Sequence, residues 1–219
     1  MIVGDLKPLP EIIEMIAKYN RILVLGCGGC VSVCQTGGAR EAETLSQLLK
    51  IEGKDAHWLT TPRQCEWEFL DPIAEETTKY EVIISIACGV GIQAMNEKFP
   101  AIQTLPGMNT RFLGMPVKHG VFEERCQACG NCVLHLTGGI CPVARCSKNL
   151  MNGPCGGSQN GRCEISPEIS CAWHLIYERL KAIGKLDLLL QPQPARDWSF
   201  ARDGGPRKMI REDLLLDGE

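Results

Sequence analysis

Over the first hundred residues, short and wholly apolar runs alternate with segments whose apolar residues recur every three to four positions. Ile12, Ile13, Ile16 and Ala17 mark one face of an opening helix, with Pro10 suited to its first turn. Arg21-Ile22-Leu23-Val24-Leu25-Gly26 follows, an apolar run closed by glycine that reads as a buried parallel strand. Ala39, Ala42, Leu45, Leu48 and Leu49 return to helical spacing, and Gly53 supplies the stop. Ala56–Thr60 is a second strand, residues 70–80 a further helix, and Glu81–Ala87 the clearest strand of all. A helix over Ile92–Phe99 and a fourth strand at Ala101–Leu105 complete the series before Pro106-Gly107 breaks the chain. This alternation predicts an α/β domain over residues 1–115, a Rossmann-like parallel sheet with helices on right-handed crossovers.

Beyond residue 115 the hydrophobic pattern fades and cysteine spacing replaces it. Eight cysteines run Cys126-x2-Cys129-x2-Cys132-x8-Cys141-x4-Cys146-x8-Cys155-x7-Cys163-x7-Cys171 on a glycine-rich stretch. Four thiolates are the ligand set of one cubane iron–sulfur cluster, and Cys-x2-Cys-x2-Cys lets one short loop wrap three of its corners. Residues 116–185 therefore read as a small, ferredoxin-like iron–sulfur module with two [4Fe–4S] clusters. Cys126, Cys129 and Cys132 group with one distal cysteine, and the remainder form the second site. Cys141-Pro142 matches the ferredoxin habit of a cysteine followed by proline. With so few large apolar residues, metal–thiolate bonding would supply much of the folding free energy of this segment.

The other five cysteines follow the predicted strands: Cys27, Cys30 and Cys34 after the first, Cys65 after the second, Cys88 after the third. All five thus fall at the carboxyl edge of one parallel sheet, where open α/β sheets place their sites. Cys27, Cys30 and Cys34 with either Cys65 or Cys88 would make a third four-thiolate site. Gly26-x-Gly28-Gly29 also invites a dinucleotide reading. The interruption by Cys30 and Cys34, and the lack of an acidic residue ending the second strand, argue against it. Zinc competes with iron for any one of these sulfur sites, because both accept four thiolates. His57, His119, His135 and His174 receive no ligand role, and no motif places a hydrolytic or nucleophilic triad.

Composition narrows the setting. Thirteen cysteines without an apparent signal peptide predict a cytoplasmic protein in which thiols hold metal rather than disulfides. A net charge of −3 gives no reason to expect nucleic acid, and no apolar run is long enough for membrane insertion.

Five strings carry a family resemblance: Gly26-Cys27-Gly28-Gly29-Cys30-Val31-Ser32-Val33-Cys34, Arg63-Gln64-Cys65-Glu66, Ala87-Cys88-Gly89-Val90-Gly91, Asn152-Gly153-Pro154-Cys155-Gly156-Gly157, and Cys171-Ala172-Trp173-His174-Leu175-Ile176-Tyr177-Glu178-Arg179-Leu180. Over residues 15–185 the chain resembles the small iron–sulfur (MetV-type) subunit of bacterial methylenetetrahydrofolate reductases. The resemblance implies an electron relay through [4Fe–4S] clusters to a flavin-containing catalytic partner subunit. That partner reduces 5,10-methylene- to 5-methyltetrahydrofolate, and an upstream electron-donor protein feeds the chain. Descriptions of the family also invoke zinc, so a redox-silent, zinc-binding structural or regulatory subunit is the alternative.

Residues 186–219 read as an extended tail. Leu186, Leu188, Leu189 and Leu190 extend an apolar helix that Pro192 and Pro194 stop. Trp198, Phe200 and Leu214–Leu216 are candidate anchors on a partner subunit. Deletion after Gln191 is expected to weaken assembly and leave cluster content unchanged.

Overall fold

A computed structural model describes residues 1–211 and Asp213; the anchors expected at Leu214–Leu216 lie outside the described residues. The chain divides into two compact units, Met1–Glu123 and Glu124–Glu219.

In chain order the first unit contains β1 (Ile2–Leu6), α1 (Leu9–Met15), β2 (Arg21–Cys27), α2 (Cys30–Val33), α3 (Ala39–Ile51), β3 (Asp55–Thr61), α4 (Ala74–Thr77), β4 (Val82–Ser85), α5 (Gly89–Lys98), β5 (Thr104–Pro106) and β6 (Met108–Lys118). β7 (Val121–Cys126) leads out of it. Strands β3-β2-β4-β5 form the expected parallel sheet, in that spatial order. Because β2 is central, its side chains alternate between two cores. Ile22 and Val24 pack with Ile12, Ile16, Ala42, Leu45 and Leu49 on one face. Leu23 and Leu25 pack with Leu70, Ile83 and Met95 on the other.

Two differences from the sequence reading have local causes. The helix expected over residues 70–80 is two 3-10 turns, Trp67–Phe69 and Asp71–Ile73, followed by the one-turn α4. Pro72 removes a backbone donor at the point where a continuous helix would need one. A second sheet of order β1-β6-β7 was not foreseen, and β1 pairs antiparallel with β6. Ile2 there faces Leu113, a partner more than a hundred positions away, so no local period signals the pairing.

The second unit is mostly loop, with α6 (Pro142–Arg145), the hairpin β8 (Arg162–Cys163) and β9 (Ser166–Ser170), and α7 (Ala172–Ala182). Trp173, Ile176 and Leu180 on α7 form its small core, joined by Ile140, Leu150, Leu186 and Leu188. The apolar stretch expected to extend a helix is a 3-10 segment, Leu186–Leu190. No helix among the described residues is long and apolar enough to cross a membrane.

Candidate metal centres

Every cysteine is a free thiol. In the second unit, Cys146, Cys155, Cys163 and Cys171 line one small cavity. Each reaches it from a different element. Cys146 follows α6, Cys163 ends β8, Cys171 is the residue before the first turn of α7, and Cys155 lies in the loop after Asn152-Gly153-Pro154. Gly153 makes that approach possible, since a Cβ there would stand 2.3 Å from the Trp173 ring. Trp173 Nε1 in turn donates to Leu150 O at 3.0 Å.

The surroundings of this cavity favour the anionic form of one of its sulfurs, that of Cys163. Ser147 Oγ lies 3.5 Å from Cys163 Sγ. That hydroxyl, with backbone N–H groups of Ile165 and Ser166, holds the Cys163 thiol below its usual range. Glu164 lies 3.9 Å from Cys155 Sγ and is paired with Lys148, so its charge is balanced by a cation beside the same cavity.

The remaining four thiols of this unit are Cys126, Cys129, Cys132 and Cys141. Left-handed conformations at Ala128 (φ 50°) and Gly130 (φ 85°) curl the Cys126–Cys132 loop on itself. Ala128 N donates to Cys126 Sγ at 3.3 Å, and Ala144 N to Cys141 Sγ at 3.4 Å. Cys141 caps the head of α6, opposite Cys146 at its tail. Val133 and Pro142, the neighbours of Cys132 and Cys141, line one shared pocket, which brings those two stretches of backbone together. Among the described residues, no three His, Cys, Asp or Glu side chains are gathered closely enough to hold a metal ion directly. The donor set is nevertheless chemically uniform. Two groups of four soft thiols, one lining a cavity and both receiving N–H donors, suit iron–sulfur or zinc better than a hard cation.

In the first unit, Cys27 ends β2, Cys65 follows β3 and Cys88 precedes α5. β2 and β4 flank the point where the strand order reverses, the usual site position in an open parallel sheet. Cys27 is buried with Val31, Ala87 and Met108, and Cys88 packs on the same group. Burial pushes the Cys65 thiol up, and the nearby sulfurs of Cys88 and Cys27 push it the same way, so these three share one neighbourhood. Cys30 is exposed. Cys34 turns elsewhere: its thiol, raised by burial, donates to Ile2 O at 3.4 Å. Both Cys65 and Cys88 thus approach Cys27, while Cys34 does not point to that group.

Three polar side chains that brace the cysteine-bearing loops carry no sequence signal of their own. Gln64, fully buried, donates to Leu25 O (3.1 Å) and Gly26 O (3.0 Å) and accepts from Ser85 Oγ (2.6 Å), tying the ends of β2 and β4 to the Cys65 loop. Asn152 exchanges two hydrogen bonds with the Gln193 backbone, at 2.8 and 2.7 Å. Arg196 places Nη2 2.9 Å from Cys129 Sγ. Gln64 and Asn152 sit inside two of the strings that carry the resemblance described above, whereas Arg196 lies in a proline-interrupted polar stretch with no pattern.

Residues 105–199 match the family model described as "Methylene-tetrahydrofolate reductase C terminal". Over that segment the chain is similar to the C-terminal part of methylenetetrahydrofolate reductases. The match spans less than half of the chain, yet includes all eight cysteines of the second unit, α7 and Arg196. No curated protein and no solved structure matches the chain.

Proposed function

We propose that this chain is the electron-relay subunit of a methylenetetrahydrofolate reductase complex. The observation that carries this reading is the cavity shared by Cys146, Cys155, Cys163 and Cys171 within the family-matched segment. Those four thiolates are assigned one [4Fe–4S] cluster, and Cys126, Cys129, Cys132 and Cys141 a second. A third is assigned to the sheet edge, held by Cys27, Cys65 and Cys88 with Cys30 as the fourth thiol. Bound there, such clusters supply one-electron transfer.

The chain's own groups hold and tune these sites. Thiolates ligate, while Ser147 and the N–H donors at Cys126, Cys141 and Cys163 offset the negative charge of the sulfurs. Flavin and folate belong to a partner subunit, which collects electrons singly and passes a hydride on. An upstream electron-donor protein supplies them, in the cytoplasm. Trp198 and Phe200 remain exposed on a backbone held by hydrogen bonds, as anchors awaiting a partner surface would.

Anaerobic metal and acid-labile sulfide analysis of the full chain, with low-temperature EPR after dithionite reduction, tests this. About twelve irons with matching sulfide are expected for three clusters. About eight would confine the relay to the second unit. Two or three zincs without sulfide would overturn electron transfer and leave a zinc-bearing structural or regulatory subunit of the same complex.

A further inference from the structure

Residues 196–207 fold back onto the Cys126–Cys132 loop of their own unit. Arg196 Nη2 lies 2.9 Å from Cys129 Sγ and also donates to the carbonyls of Cys129 and Asn131. Arg207 Nη1 bridges Ala128 O (2.6 Å) and Phe200 O (3.0 Å). At Gly130 the two backbones are so close that a Cβ would stand 2.4 Å from Phe200 O. The Trp198 ring supports the Arg196 guanidinium from 5.0 Å.

One cation is therefore fixed beside a thiol that the proposed function makes a metal ligand. Arg196 is not fully satisfied there. Its Nε and Nη1 are buried without a hydrogen-bond partner. A guanidinium carries five donors and no acceptor, and leaving such donors unpaired is costly. Partners for them must be acceptors, and beyond the Cys129 and Asn131 carbonyls that Nη2 already uses, the neighbouring loop offers sulfur, an acceptor when anionic.

We propose that Arg196 is a positioning and charge-setting residue for the group held by Cys126, Cys129 and Cys132, donating to the Cys129 thiolate and raising the reduction potential of that group. The inference rests on the relay reading. Reduction adds one electron to the bound group while no bond forms or breaks, so the site gains one negative charge. A fixed positive charge with N–H donors stabilises the reduced state more than the oxidised one.

The test is a dithionite-poised EPR titration of the full chain, alongside iron and sulfide analysis, for the parent, Arg196→Gln and Arg196→Lys. In Arg196→Gln, iron and sulfide should be retained and one reduction step should fall about tenfold in its equilibrium constant. For one electron that is about 59 mV more negative. The other steps should stay in place, and Arg196→Lys, which keeps the charge, should recover most of the shift. Retained iron with an unchanged potential in Arg196→Gln would overturn the inference alone. Iron loss in both variants would also overturn it, because Arg196 would then hold the loop rather than tune the site. A parent chain without iron and sulfide would overturn the relay reading, and this inference with it.

Discussion

Gln64 shows how a single amide can build the floor of a site it does not occupy. Its side chain is completely buried, and all three of its hydrogen bonds run to the carboxyl ends of β2 and β4. The next residue is Cys65, so the loop that carries a candidate ligand is fixed to the strand that ends in Cys27 and to the strand that leads to Cys88. Ser85 Oγ extends the network by accepting from Ala87 N at 3.2 Å. Gln64→Leu keeps the approximate volume but leaves the Gly26 carbonyl and the Ser85 hydroxyl short of a partner. The expected loss is about 2 kcal/mol, within the range for unpaired buried polar groups. It should appear as a lower urea midpoint for unfolding of the first unit with an unchanged slope. An unchanged midpoint would mean that Gln64 contributes nothing to this edge.

At the level of elements, β2 and β4 are joined at their starts as well as their ends. The Glu81 carboxylate accepts from Asn20 N and Arg21 N, each at 2.6 Å, just where β2 begins and one residue before β4. Those two donors hold its carboxyl below the usual carboxylate range. A folded-state value beneath the unfolded one, about 4.3 for a free Glu, contributes stability that is present above the unfolded value. That contribution is lost as pH falls through the folded value. Glu81→Gln should therefore narrow the stability difference between neutral and acidic solution, measured by urea unfolding at a series of pH values. Parallel curves for the two proteins would count against the pairing. The elements themselves were unequally legible. β2, α3 and β4 announced themselves because burial on both faces or along one stripe leaves a strong local period. β1 and β6 did not, because their pairing spans most of the first unit and their outward residues mix polar and apolar types. The cysteines stood out as candidate ligands from their spacing, but which of them line one cavity did not. Which sulfurs share a cavity depends on how α6, β8 and α7 deliver them, and that packing has no signature along the chain.

Over the whole molecule, each of the two units is stabilised internally by different physics. The first has two continuous apolar cores on either face of its sheet, so its stability rests on burial that needs no metal. The second has four buried residues on α7, Ala172, Trp173, Ile176 and Leu180, and a few partners, while its longest loops run between cysteines. Left-handed residues at Ala128, Asn149 and Asn160 add conformational cost to those loops. A core of that size offsets little of the entropy of ordering such loops, and on the proposed relay reading metal–thiolate bonds supply the difference. Removing metal with an anaerobic chelator should then act on one unit only. Amide hydrogen exchange should speed up across residues 124–211, beginning in the Cys126–Cys132 and Cys155–Cys163 loops, while β2 and β4 keep their protection. α7 should open later than the loops, because Trp173, Ile176 and Leu180 still bury one another. Equal protection in the stripped and loaded chains would show that the second unit folds on its apolar contacts alone, with the cysteines serving chemistry and not architecture. Loss of protection in β2 and β4 as well would place a structural metal at the sheet edge beside Cys27, Cys65 and Cys88, where burial alone is expected to suffice.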